Sequence, residues 1–494
     1  MKRRDFLKLG AASGMALTAA PLISNKLLAS PTDELVAFDG LALAEMVKKG
    51  DITPLELVDT FIRRIETLNP KINAVVYKAY DLAREKAKTA TPQGLFAGVP
   101  YLHKVLAPYE GQPWSRGSAA YKDRIATSMT DFNRSIDNNG AIFLGQTTSP
   151  EFGNIGTTET RLFGPTHNPW DLKRSPAGSS GGAGAVVAAG IVPWGTASDG
   201  GGSIRMPASQ CGAFGMKYSR FREIGADRKK MLSNRGCISR TVRDSAAFLS
   251  VVADPNAKMK PVSFVKGPSR RRLKIAVNNR NQYGHAPHAE VDKVFSKSIK
   301  LLANMGHTVV ADKFEFSGEE MMHHFLTLWA TVSVSEFNAV QQKLGRKPDD
   351  REFEGFFFGL LDLFNQRPEG AVKAAITYFT KLRHDFSAFF GKYDVYMTPV
   401  LSEPPMLLGR HDSSKPFAPL MHDVVNYVSY TPLANATGMP SMSVPLYWTD
   451  DGLPVGTLFT ANFGEEDMLM ALAYELEEAR PWKNKWAPVS AMNI

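Results

Sequence analysis

Two serine clusters set among glycines carry the strongest chemical signal in the sequence. The first is Gly178-Ser179-Ser180-Gly181-Gly182 and the second Asp199-Gly200-Gly201-Gly202-Ser203, joined by a short alanine-rich segment. A serine hydroxyl beside backbone N–H groups that no side chain covers can attack an acyl carbon while those amides hold the oxyanion that forms. Ser203 follows three such amides, so the backbone of Gly200, Gly201, Gly202 and Ser203 is the expected oxyanion site. Other chemistries of Gly/Ser runs fit less well. No Lys follows the glycines as GK[ST] and no GxGxxG opens a helix, which argues against a nucleotide loop. The first cluster also fits GxSxG with Ser180 as nucleophile, but that motif needs a strand directly before it. Thr166-His167-Asn168-Pro169-Trp170-Asp171 is turn chemistry instead.

The elements that must position these hydroxyls are legible nearby. Glycine costs roughly 1 kcal/mol relative to alanine inside a helix or strand, so the first cluster is a loop. Ala183 to Gly190 has the composition of a closely packed helix, and Ile191 to Trp194 leads back toward a strand. Upstream, Gly98 to Lys104 reads as a strand that brings one lysine to its end. Taken alone, such a lysine is ordinarily a solvated surface charge. His103 beside it points to the opposite face of the strand.

The pattern of the two clusters, a GGSSGG-like loop followed by DGGGSIRMPA, resembles the amidase signature family. The resemblance extends from about Asp39 to Trp482 and is weakest between Ser317 and Lys392. ATGMPSMSVPLYW and LEEARPW look most like the branch containing 6-aminohexanoate cyclic-dimer hydrolases. It implies one α/β domain over 31–494, with a mixed central sheet and helices on both sides. By the same resemblance Ser203 is the acyl nucleophile, Ser179 a bridging serine after a cis peptide bond, and Lys104 the base. Ser180, Asp199 and Arg205 are expected to support the loops, the last two by hydrogen bonds or an ion pair. The implied activity is hydrolysis of a small amide, with no metal and no cofactor. Ala177 stands where the family has glycine, Val105 where an acid usually follows the lysine, and Gln146 and Thr148 break its GKTN pattern. A catalytically silent binder and a subunit of a tRNA amidotransferase are the alternative readings on the same scaffold.

Scaffold signals surround the site. Thr53-Pro54-Leu55-Glu56 is a capping box with proline at the first helical position. Leu55, Val58, Ile62 and Ile65 share one face of that helix, and Asn69-Pro70 should stop it. Phe132 to Asn139 reads as a helix, Ala141 to Gln146 as a strand, and residues 273–310 as a β-α-β unit. Between Met321 and Phe364 lies an aromatic stretch. Most of it should be core, with an apolar pocket wall or a subunit surface sharing the remainder, and Trp329 and Phe357 are expected to act on selectivity as part of the wall. No lysine or arginine there stands out as a carboxylate clamp.

With 494 residues, 44% hydrophobic and 22% charged, the chain is a large globular protein. The formal net charge is +9, but Lys2, Arg3, Arg4, Lys8 and Lys26 stand in the first thirty residues, and the rest is too mildly basic to imply nucleic acid. Arg3-Arg4-Asp5-Phe6-Leu7-Lys8 and the weakly apolar run after it resemble a bacterial twin-arginine signal. Residues 1–30 are therefore expected to direct export to the periplasm, with no stable membrane span afterwards. A homodimer is left open. Cys211 and Cys237 are expected to remain unpaired.

Overall fold

The computed structural model describes residues 33–494. The proposed export signal lies outside the described residues. The core is a sheet of eleven strands. In chain order these are β1 (Val75–Lys78), β2 (Pro100–Lys104), β3 (Ile142–Thr147), β4 (Trp194–Asp199), β5 (Phe214–Lys217) and β6 (Asn234–Ser239). The others are β7 (Lys274–Val277), β8 (Thr308–Ala311), β9 (Val395–Pro399), β10 (Ser441–Trp448) and β11 (Pro454–Ala461). Their spatial order is β1-β3-β2-β4-β6-β5-β10-β11-β9-β7-β8. Every residue of β2, β3, β9 and β11 is buried. Because successive side chains point to opposite faces, such strands must be covered on both, and helices pack around the sheet.

The sheet is mixed, and its parallel part matters for the site. β2 runs parallel to both β3 and β4, whereas β4–β6, β6–β5, β5–β10, β10–β11 and β11–β9 are antiparallel. Parallel neighbours end on the same edge. Lys104 at the end of β2 and Asp199 at the end of β4 therefore emerge side by side, at the carboxyl edge where open sheets bind ligands.

The capping box forms as expected: Thr53 Oγ1 accepts from Glu56 N at 3.2 Å and Glu56 Oε2 accepts from Thr53 N at 2.9 Å. The helix, however, runs Pro54–Ile72 and carries Pro70 inside its last turn. One proline removes a single intrahelical hydrogen bond. The stop comes instead at Asn73, left-handed at φ 47°, while Asn69 Oδ1 accepts from Ala74 N and Val75 N at 2.8 Å and holds the entry into β1. Two other expected helices match within a residue or two: Asp131–Asn138 and Gly181–Ala188. Cys211 and Cys237 are buried free thiols. Among the described residues no helix is long and apolar enough to cross a membrane.

Candidate active site

Lys104 is 3% exposed, and its backbone N–H donates to Thr196 Oγ1 at 3.0 Å. Three hydroxyls surround Nζ: Ser179 Oγ and Ser180 Oγ at 2.8 Å and Ser198 Oγ at 3.0 Å. Burial pushes the amine's pKa down to about 7, against an opposing pull from the Asp199 charge. A neutral amine has two N–H bonds and one lone pair, so one of the three hydroxyls must donate to it. Ser180 is committed elsewhere, donating to the Ser198 carbonyl at 3.2 Å. The donor is therefore Ser179 or Ser198.

The loop that presents Ser179 has unusual backbone geometry. The Gly178–Ser179 peptide bond is cis, and Ala177 sits at φ 62°, a region glycine enters freely. Ala177 is held there by its N–H on Ser175 Oγ at 3.1 Å and its C=O receiving Thr158 Oγ1 at 2.9 Å. Thr148, a departure from the family pattern, shares a hydrogen bond of 2.7 Å with Thr166 Oγ1. Gln146 donates to the Pro113 carbonyl at 2.7 Å, and Val105 is fully buried. None of the three approaches Nζ as a charged partner.

Asp199 organises the second loop. Its carboxylate accepts from Gly202 N at 2.8 Å, Ile204 N at 3.1 Å and Arg205 N at 3.4 Å, and forms a two-pronged ion pair with Arg205 Nε and Nη2, both at 2.9 Å. Both side chains are fully buried. Burial alone would raise the carboxyl's pKa, but the Arg205 guanidinium and the Asn435 amide hold it well below the usual range. Arg205 also donates to Asn435 Oδ1 at 2.7 Å and to the Thr431 carbonyl at 3.0 Å. Thr431 Oγ1 closes the ring by donating to the Gly201 carbonyl at 2.6 Å.

This arrangement narrows the set of free amides. The Gly202 N–H, one of the four expected oxyanion donors, is engaged by Asp199 and is not available. The amides of Gly200, Gly201 and Ser203 make no backbone hydrogen bond among the described residues. Gly202 is itself required, since at φ 130° a Cβ there would collide with Thr431 Oγ1. Replacing Arg205 by Met should leave the Asp199 carboxylate buried without its charge partner. The expected loss is about 3–5 kcal/mol of unfolding free energy in urea titrations; a change under about 1 kcal/mol would show that the pair does not brace the loop.

Ser203, 4% exposed, lines a partly open apolar cavity. Met322, Phe325, Leu326 and Trp329 of the Gly318–Leu344 helix form one wall, and Met421, Val424 and Val425 of the Phe417–Tyr427 helix another. Trp329 rests on the loop that carries Ser203: a Cβ on Gly200 would lie 2.7 Å from its Cζ3. Phe357, expected as a wall, is core instead. It stacks on Phe353 with ring centroids 3.9 Å apart and packs against Phe152. Its neighbour Phe356 faces the cavity, because adjacent helix positions point about 100° apart.

A family model described as Amidase matches residues 56–470. The chain belongs to the amidase family. Among its curated relatives, a protein of Mycobacterium leprae (strain TN) that carries the name "Putative amidase AmiC" is 35% identical over 91% of this chain and 97% of the relative. The 6-aminohexanoate-cyclic-dimer hydrolase of Pseudomonas sp. (strain NK87) is 30% identical over 90% and 95%. The solved structure of 6-aminohexanoate cyclic dimer hydrolase complexed with substrate superposes with a TM-score of 0.85 at 26% identity, covering 92% of this chain and 99% of that one. This chain is thus an amide-hydrolysing enzyme with the mixed-sheet fold expected of it.

In this amidase Lys104, Ser179 and Ser180 are brought together by hydrogen bonds, while Ser203 lies in the loop that follows β4 and its hydroxyl makes no hydrogen bond to them among the described residues. His103 does not join them: its Nδ1 meets Thr196 Oγ1 at 2.9 Å and its Nε2 the Ala107 carbonyl at 3.0 Å, and burial pushes its pKa down to about 4. Sequence reasoning missed Ser198, Thr431 and Asn435. Ser198 had a usable signal, since Thr196 and Ser198 alternate onto the face of β4 that meets Lys104.

Proposed function

We propose that Ser203 is the nucleophile, Lys104 the base and Ser179 the proton relay of an acyl-enzyme amide hydrolysis. The observation that carries this reading is the buried, pKa-lowered Lys104 amine within 2.8 Å of Ser179 Oγ. In the neutral state Nζ accepts the Ser179 proton as Ser179 accepts that of Ser203, and Ser203 Oγ bonds to the amide carbon. Negative charge passes to the carbonyl oxygen, where the amides of Gly200, Gly201 and Ser203 are the candidate donors. The proton returns through Ser179 to the departing nitrogen, the C–N bond breaks, and water later releases the acid by the same route.

The substrate is a small, mostly apolar amide or a short linear or cyclic oligoamide. No Lys, Arg, Asp or Glu lines the cavity, which supports uncharged substrates. The cyclic-dimer hydrolases among the relatives support the same class. A fluorophosphonate probe followed by peptide mass mapping tests the mechanism: the adduct is expected on Ser203. An adduct on Ser180, or turnover of a panel of linear and cyclic amides that a chelator stops, would sink it.

A further inference from the structure

We infer that the Asn154 carboxamide recognises a second, uncharged hydrogen-bonding group in the substrate, of the kind an additional amide supplies. The inference deepens the proposed function and rests on it, adding that the acyl portion of the substrate occupies the cavity. The cavity's side chains are apolar with few exceptions. Ser203 is assigned to the chemistry, and the Trp329 indole N–H already donates to the Asn154 carbonyl at 3.0 Å. That leaves the Asn154 side chain.

Asn154 is held firmly and yet offers its amide to nothing in the protein. Its N–H donates to the Glu151 carbonyl at 3.1 Å and its C=O is taken by Trp329, so the backbone is fixed on both sides. The residue is 7% exposed, its Nδ2 is buried without a partner, and no hydrogen bond among the described residues engages either end of the carboxamide. Burying such a group unpaired is destabilising, and native proteins seldom leave one so. A carboxamide can both donate and accept, and a half-turn about χ2 exchanges which end it presents. Another neutral amide matches it in either orientation.

Charge is excluded by the rest of the wall. An ammonium or carboxylate in the cavity would lose its water without gaining a counter-charge. Position follows from Trp329, whose benzo edge lies on Gly200 while its pyrrole N–H reaches Asn154. The recognised group is thus placed on the Asn154 side of Trp329, in the acyl chain rather than at the bond that breaks.

Two anilides of equal chain length test this. N-Acetyl-β-alanine 4-nitroanilide carries a second amide; hexanoyl 4-nitroanilide has two methylenes in its place. The diamide-to-monoamide ratio of kcat/KM should fall about tenfold or more in Asn154→Leu relative to wild type. Asn154→Ala, checked for an intact melting transition, serves the same purpose if the leucine variant fails to fold. Calorimetric affinities of both amides for Ser203→Ala, with and without Asn154→Leu, read the same ratio without turnover. An equal ratio with and without Asn154, or no binding of the diamide to Ser203→Ala, overturns the inference. Turnover surviving in Ser203→Ala would instead defeat the proposed nucleophile, a separate result that leaves the affinity ratio readable.

Discussion

Ser203→Ala is expected to lose turnover by a factor on the order of 10⁶ in kcat, and to show no acylated protein by mass spectrometry during reaction with an activated anilide. Only an oxygen at this position both lines the cavity and follows the amides left free by Asp199. Ser179 and Ser180 face the Lys104 amine and cannot take over without moving the loop that carries them. The Asp199–Arg205 brace does not depend on the Ser203 hydroxyl, so the variant should keep its fold and bind substrate. Residual turnover within about a hundredfold of wild type, well above what loss of a nucleophile leaves, would point to another nucleophile.

Lys104→Ala should be nearly as damaging, and Lys104→Ala/Ser203→Ala no worse than either alone, because residues that move one proton as a unit do not lose activity additively. The pH profile carries the sharper statement. The proposed base works as the neutral amine, and burial pushes the Lys104 pKa down to about 7. The kcat/KM of wild type should therefore rise about tenfold per unit below pH 7 and level off above it. An ordinary lysine, with a pKa near 10.4, would give a profile still climbing at pH 9. Such a profile would mean that Nζ is hydrated rather than enclosed by the three serines. Lys104→Ala should flatten the rise; an unchanged profile would assign the titration to another group.

The chemistry of this site was far more legible in the sequence than the cavity it serves. Hydroxyls and bare amides must lie close together, and Gly178 to Ser203 keeps them within one stretch of chain. The partner lysine is remote in sequence but lies at the end of a strand whose composition is plain. The cavity has no such economy. Its walls gather residues from Asn154, Met206, Phe325, Met421 and Pro432, and apolar side chains at helical spacing look alike whether they face a core or a void. Phe356 and Phe357 are adjacent and do different things. The Gly202 amide and Pro70 were misread for a shared reason: each was judged from its own residue type, and each was decided by a neighbouring polar side chain, Asp199 in one case and Asn69 in the other.

The contact between Trp329 and Gly200 makes the cavity's two walls unequal as places for change. One wall leans on the loop that holds Ser203, so trimming Trp329 removes a prop as well as a boundary. The other, from Met421 to Val425, touches neither Gly200 nor Gly201 among their nearest neighbours. An enzyme of this design can drift toward bulkier substrates along the second wall while its rate on the old ones is preserved. The same drift along the first would trade one for the other. Variation that enlarges the cavity should accordingly accumulate on the Phe417–Tyr427 helix, with Trp329 held constant as the hinge between what is bound and how fast it is cut.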